Sequence, residues 1–334
     1  MKWLSRLALV GLAMFSATVT ARADQPLKAT IGVLRLSSSA PVFIAQDKGY
    51  FRDAGLDIEL KFFDAAQPIA VATTSGDVDF GITAFTAGLY NLAGKGTLKV
   101  IGGMSRDKAG YPLIGYFASN KAYAAGLTTP KDLAGKRVAV TQVGSSFHYA
   151  LGLLADKYGF KLADVRIVPL QSLSNAAAAL KGETVDAALL PVSTARKLMD
   201  DGGAKQLGWV GDETPWQLGA VFASPKTLTN KTLVTKLLAA LDRADREYHD
   251  VILASVADGK AAINEQTKPL LEIIAKYTNL PVEQVVGNCA YIDPDGKLDV
   301  RNVDNQIKWL QSQGFVDKGF DADAVIAKDY VKPD

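Results

Sequence analysis

One arrangement occurs twice in this chain and restricts what it can fold into. Ile31-Gly32-Val33-Leu34, with Leu36, is a short apolar run followed by three hydroxyl residues, Ser37-Ser38-Ser39, and then by Pro41-Val42-Phe43-Ile44-Ala45. The apolar run suits a strand buried on both faces of a parallel sheet. A serine can cap the helix that follows, and Pro41 falls in its first turn, where an N–H is not missed. A helix start at the carboxyl end of a strand offers free N–H groups and the positive end of the helix dipole, a place for an anion or a polar ligand oxygen. Further on, Val138-Ala139-Val140 is again a strand, Gly144-Ser145-Ser146 a polar turn, and Phe147 to Lys157 a helix ended by Tyr158-Gly159-Phe160. In each copy a second strand comes next, Asp57 to Phe63 or Val165 to Leu170. A glycine-acid turn then leads into a third strand: Gly76-Asp77-Val78-Asp79-Phe80 in one copy, Gly182-Glu183-Thr184-Val185-Asp186 in the other. Ser37 precedes Gly76 by 39 residues and Ser145 precedes Gly182 by 37. Two β-turn-α-β units with the same polar punctuation predict two similar α/β lobes.

Two apolar segments, Leu113–Ser119 and Gly219–Ser224, follow the two copies, and their Phe-Ala-Ser endings echo each other. They read as crossings between lobes, giving lobe I as residues 24–115 with 223–334 and lobe II as 116–222. The rest is helical. Thr232 to Tyr248 carries Leu233, Leu237, Leu238 and Leu241 as a core-facing stripe, and Leu270 to Tyr277 and Asp304 to Gln313 look similar.

The 334 residues are 48% hydrophobic and 22% charged, a globular balance with room for two domains. Residues 1–23 read as a secretory leader, with Lys2 and Arg6 as a positive start, Leu7 to Phe15 as an apolar core and Ala21-Arg22-Ala23 as a cleavage site. The 37 Lys and Arg less the three in the leader leave 34 against 35 Asp and Glu, so no basic field for nucleic acid remains. The apolar run is too short to span a bilayer, and the expected product is an exported, periplasmic chain. Cys289, the one cysteine, rules out an internal disulfide.

Three stretches together resemble a known family. They are Pro41-x-Phe43-Ile44-Ala45-x-x-Lys48-Gly49-Tyr50-Phe51-x-x-x-Gly55-Leu56, the Gly76-to-Phe80 turn, and Asp132-Leu133-Ala134-Gly135-Lys136-Arg137-Val138-Ala139-Val140. Their order and spacing resemble the solute-binding proteins of ABC importers, in the nitrate/sulfonate/taurine-like branch that includes binders of thiamine-pyrimidine precursors. The resemblance implies a type II periplasmic binding fold: α/β, two lobes, each a mixed sheet flanked by helices, and two crossing segments as hinge. It also implies a ligand held between lobes by hinge closure, a permease in the inner membrane as partner, a monomer, and no cofactor.

Ligands of open α/β sheets lie beyond the carboxyl ends of the strands. Here those ends are Ser37, Ser38, Ser39, Gln67, Thr83, Ala84 and Phe85 in the first copy, and Gly144, Ser145, Ser146, Pro191, Val192 and Ser193 in the second. The resemblance places ligand contacts in the same loops; the alternative for each hydroxyl is helix capping. Poverty in acids favours a neutral or anionic ligand. Arg35 and Arg106 are candidates for a bidentate contact to carboxylate or sulfonate, or else structural ion-pair partners. His148 offers a donor or an interlobe contact. Among the aromatic residues, Phe43 and Phe147 read as core and Trp216 as a candidate face for an organic body. The expected ligand is a small organic anion, with nitrate or a thiamine-pyrimidine precursor as alternatives.

Enzymes share the fold implied, so catalysis is weighed separately. His148 and His249 are the only histidines and form no metal-ligand pattern, Cys289 is isolated, and Ser145, Ser146 and His148 lack a G-x-S-x-G elbow. A ligand-sensing partner of a sensor is a further alternative. The expectation is a binding protein, not an enzyme.

Overall fold

The computed structural model describes residues 25–334, and the expected leader lies outside the described residues. Two five-stranded sheets organise the chain. Strands Leu27–Leu34 (β1), Leu56–Phe63 (β2), Phe80–Ala84 (β3) and Lys99–Gly103 (β4) come first, then the short Ser105–Asp107 (β5). Ile114–Ala118 (β6), Arg137–Val140 (β7), Arg166–Pro169 (β8), Ala187–Pro191 (β9) and Lys205–Trp209 (β10) follow, with Trp216–Gln217 (β11) and Gly219–Ala223 (β12) after them. The first sheet runs β2-β1-β3-β12-β4 and the second, read from the equivalent edge, β8-β7-β9-β6-β10. β1 is parallel to β2 and β3, and β7 to β8 and β9, whereas β12 and β6 are antiparallel to their neighbours. Each lobe is therefore a mixed α/β sheet, as expected.

The duplication reaches single hydrogen bonds. Thr30 N–H donates to Asp79 Oδ2 at 2.8 Å, and Arg137 N–H donates to Asp186 Oδ2 at 2.8 Å, both across 49 residues. The acid that ends each glycine-acid turn thus ties the start of the third strand to the first. Its role is structural.

The expected crossings are corrected by the strand pairing. Every residue of β6 and β12 is buried, because each is an inner strand with both faces covered. A central strand and an apolar crossing have the same composition, which is why the sequence confuses them. The chain changes sheet one element earlier, through β5 and through β11, which pair with each other and with the strand Tyr291–Ile292. Ile114 and Gly115 accordingly sit in the second sheet and Gly219 to Phe222 in the first, so the changeovers precede the expected limits after 115 and 222.

Nine helices of eight residues or more flank these sheets among the described residues: Ala40–Asp47 (α1), Ala66–Ser75 (α2), Ala87–Gly94 (α3), Ser146–Tyr158 (α4), Leu173–Lys181 (α5), Val192–Asp200 (α6), Lys231–Glu247 (α7), Lys268–Thr278 (α8) and Val300–Ser312 (α9). On α7 the stripe of Leu233, Leu237 and Leu241 is buried as its spacing predicts, with Leu238 half-buried at its edge. Full burial of one such leucine is worth roughly 2 kcal/mol. Leu270 and Ile274 of α8 and Val303 and Ile307 of α9 are buried likewise, and Tyr90 Oη donates to Gln306 Oε1 at 3.0 Å, docking α9 on α3. Among the described residues no helix is long and apolar enough to cross a membrane.

Candidate functional site

The carboxyl ends of the strands of both sheets meet at a cleft of about 730 Å³, part of it open to solvent. From the first lobe come Ser37, Ser38 and Ser39 after β1, Gln67 after β2, and Thr83 and Ala84 at the end of β3. From the second come Ser145 and Ser146 after β7 and Pro191, Val192 and Ser193 at the end of β9. These eleven expected residues do line one cavity.

Six helices begin at its walls, three from each lobe. Ser39, Ala65 and Thr86 occupy the N-cap positions of α1, α2 and α3, and Ser145, Ser172 and Pro191 those of α4, α5 and α6. Three caps are closed by side chains: Thr86 Oγ1 accepts from Leu89 N–H at 3.0 Å, Ser145 Oγ from His148 N–H at 3.3 Å, and Ser172 Oγ from Asn175 N–H at 3.1 Å. The other three lack a side-chain cap. Ala65 and Pro191 have no side-chain acceptor, although Val192 N–H at the start of α6 donates to Leu113 O at 2.9 Å. Helix α1 instead continues the turn Ser37–Ser39, where Ala40 N–H donates to Ser37 O and Pro41 has no N–H to offer. Uncapped first-turn N–H groups seek another acceptor, and the helix dipoles favour a negative one.

Of the polar groups in the wall, Thr86 Oγ1 also donates to Gln67 Oε1 at 2.5 Å. Thr83 Oγ1 and Ser105 Oγ are buried with no hydrogen-bond partner among the described residues. The remaining wall is largely aliphatic, with Met104, Leu113 and Leu218 from beside the crossings, Ile114 at the start of β6, Leu173 at the start of α5, and the ring of Phe147. Among the described residues no Asp, Glu, Lys, Arg or His side chain lines it.

Six expected residues stand elsewhere. Arg35 lies between Leu34 and Leu36, which both line the cleft, and strand alternation turns it the other way. Its guanidinium lies 3.6 Å over the Phe62 ring and donates to Tyr277 O at 3.1 Å. Arg106 pairs with Asp334 at 2.5 Å and donates to Lys297 O, and this ion pair holds the Asp334 carboxyl below the usual range. Phe85, between the lining residues Ala84 and Thr86, stacks on Tyr90 with centroids 5.0 Å apart. Trp216 is buried at the crossing against Tyr149, not in the cleft. His148 Nδ1 accepts from Gly144 N–H at 3.1 Å while its ring packs on Phe315, and burial pulls the imidazole down to about 4. It is a neutral structural group. Gly144 itself, at φ +75°, accepts a bond from Ala87 N–H at 2.8 Å, directly between the lobes.

Sequence reasoning missed the uncapped Ala65-Ala66 start, the Thr141-Gln142 approach to the second turn, and Met104, Ser105, Leu113 and Leu218. The first two sit at strand ends and were within reach. The crossing residues depend on which segment crosses, and that is set by pairing.

Two further features bear on ligand entry. A second, more open hollow of about 800 Å³ shares Leu36 and Ser193 with the cleft and is flanked by Arg35, Lys181 and Lys197, with Asp201 paired to Lys181 at 3.3 Å. The lobes also touch at two further places. Arg196 of α6 donates to Gly287 O at 2.7 Å and to Asn288 Oδ1 at 3.0 Å, and Trp309 of α9 packs edge-on against Tyr149 of α4 with ring centroids 5.1 Å apart. Among the described residues no group of three or more His, Cys, Asp or Glu is placed to hold a metal.

Known proteins share this architecture. A 199-residue stretch is 29% identical to the taurine-binding periplasmic protein of Escherichia coli K12, covering 58% of this chain and 58% of that protein's length. The solved structure of the alkanesulfonate-binding protein SsuA from Xanthomonas axonopodis pv. citri, bound to MOPS, superposes with a TM-score of 0.71 at 21% identity, over 93% of this chain and 100% of that one. The periplasmic nitrate-binding protein NrtA from Synechocystis PCC 6803 gives 0.68 at 15% identity, over 92% and 87%. The likeness shows the fold to be that of periplasmic binding proteins, and these named relatives are binding proteins, not enzymes. A family profile described as NMT1/THI5 like matches residues 37–249, well over half of the chain, so the chain belongs to the NMT1/THI5-like family.

Proposed function

We propose that this protein is the extracytoplasmic solute-binding component of an ABC importer and that it closes its lobes over a small organic anion, a sulfonate or carboxylate. The observation that carries this reading is the cleft itself. Hydroxyls from both lobes and the uncapped starts of α2 and α6 converge on one cavity with no acid in its wall among the described residues. Such groups stabilise an anion without a counter-ion, through N–H dipoles and hydroxyl donors. The aliphatic remainder suits an organic body better than nitrate. Sulfonate binding by the alkanesulfonate- and taurine-binding relatives supports the same class. Closure would hinge where β5 and β11 pair, the permease would read the closed form, and the leader would take the chain to the periplasm as a monomer.

A second reading, a neutral heterocycle such as a thiamine-pyrimidine precursor, is favoured by the absence of any cation in the wall among the described residues. Native mass spectrometry of freshly purified protein, followed by thermal shift with sulfonates, carboxylates, nitrate and pyrimidines, separates the two. A true ligand at 100 times Kd stabilises by about 2.7 kcal/mol, roughly 5 °C or more for a chain of this size. A shift with pyrimidines alone would favour the second reading, and no shift with any of them would sink the transport role.

A further inference from the structure

Resting on the organic-anion reading, we infer that the ligand's tail carries no charge but does carry a neutral hydrogen-bonding group, so that zwitterionic sulfonates such as taurine are excluded. Two observations combine. The first is that, among the described residues, no carboxylate lines the cleft and Phe147 is the only aromatic ring there, so neither a counter-charge nor an aromatic cage awaits an ammonium group. Enclosing that charge among Met104, Leu113, Leu173 and Leu218 removes its water and returns nothing of equal strength. Asp107, a buried acid of β5, pairs with Trp216 of β11 and is not among the residues that line the cleft.

The second observation is the pair of unpartnered hydroxyls, Thr83 Oγ1 and Ser105 Oγ. Both residues lie in the cleft wall, both are at least nine-tenths buried, and neither oxygen finds a partner. Ser105 Oγ lies beside Gly219, where an added Cβ would stand 3.2 Å from it, 3.1 Å from the Thr83 carbonyl oxygen and 2.9 Å from Met104 Cε, so a side chain there would crowd this hydroxyl. A buried hydroxyl left unbonded is unfavourable, and a ligand hydroxyl, ether or carbonyl oxygen would satisfy it where a methyl group would not. A polar end of this kind can serve as donor or acceptor, matching two hydroxyls, and it does not have to surrender a full charge's hydration.

Terminal isosteres on one sulfonate scaffold test this directly. Isothermal titration of the purified full chain would compare alkanesulfonates of two to four carbons ending in –OH, –CH3 or –NH3⁺, of which the two-carbon ammonium compound is taurine. The expected order is hydroxyl, then methyl, then ammonium, with about 100-fold or more between the best hydroxyl compound and its ammonium counterpart. In the double variant Thr83→Val/Ser105→Ala, the hydroxyl and methyl compounds should become equal within about twofold. Taurine or a longer ammonium compound binding as tightly as its hydroxyl partner would overturn the exclusion of charge. A hydroxyl advantage that survives the double variant, or none at any length, would overturn the role of the two side chains. In either case the organic-anion reading stands. Failure of every sulfonate and of the matching carboxylates would instead remove that reading, and this inference with it.

Discussion

Ser38 and Ser145 occupy nearly equivalent places in the two polar turns, yet they work differently. Ser145 Oγ is occupied by the first turn of α4, whereas the serines around Ser38 make no cap bond. Ser145→Ala should therefore cost about 1 kcal/mol of stability in a urea titration. Ser38→Ala should leave the urea midpoint alone and weaken ligand binding about fivefold. The reverse pattern would exchange their roles. His148 and Asp107 carry opposite pH signatures. Burial holds the imidazole down to about 4 and the Asp107 carboxyl up to about 8. As pH falls from about 6.5 to 4 the unfolded chain takes up a histidine proton that the fold refuses, so stability is lost. As pH rises from about 4 to 8 the fold keeps an aspartate proton that the unfolded chain has released, so stability is again lost. Each slope reaches up to about 1.4 kcal/mol per pH unit, and they oppose one another below about 6.5. Relative to the parent, His148→Gln should gain stability on acidification from pH 6.5 to 5, and Asp107→Asn should gain it from pH 6.5 to 8. Parallel profiles for parent and variants would refute both assignments. Much at this scale was legible: period-two alternation from Leu34 and Leu36 already turns Arg35 out of the cleft, and Ala84 and Thr86 do the same for Phe85. What hid Trp216 was its dependence on pairing with Asp107, a contact 109 residues away in sequence.

Among the elements, the turn between β7 and α4 is the most exacting. Gly144 takes a left-handed φ of +75°, and an added Cβ would lie 2.7 Å from the Ala87 Cβ at the start of α3. Gly144→Ala therefore strains its own backbone by about 1 kcal/mol and also wedges the lobes where Ala87 N–H meets Gly144 O. Melting of the free protein should fall slightly, and ligand affinity should fall about tenfold. An unchanged affinity would mean that this contact contributes nothing to the bound state. The capping pattern of the six helix starts was half legible. Ser, Thr and Pro mark the starts in the sequence, but whether a hydroxyl is spent on its own helix is decided by side-chain rotamers. The stripe on α7 was fully legible, because burial at Leu233, Leu237 and Leu241 follows from period alone.

For the whole molecule, the separation of charge from the ligand chamber has a kinetic reading. Lys197 and Arg35 flank the outer hollow that opens toward the cleft at Leu36 and Ser193. Cations at an entrance raise encounter rates for anions, and salt screens the effect. Lys197→Glu should slow association of a sulfonate severalfold at low ionic strength, leave dissociation alone, and make no difference at 1 M salt. Stopped-flow measurements that found a changed dissociation rate would place Lys197 in contact with the ligand. The two-lobed plan was legible at this scale because it is written twice, with the same glycine-acid turns and hydroxyl loops. The point of crossing was not.

That crossing also orders events in time. β12 lies between β3 and β4 in the first sheet, yet it follows β4 only after the whole of the second sheet has been laid down. The second sheet is drawn from one uninterrupted stretch, residues 114–209, and can close on itself as soon as it is available. The first must wait, with the edges of β3 and β4 unpaired, and such edges invite association with other chains. In pulse-labelled exchange during refolding, amides of β6 to β10 should gain protection before those of Val221 and Val100; simultaneous protection would count against this order. The strand that follows the second crossing would then leave the chain briefly dependent on whatever shields those edges.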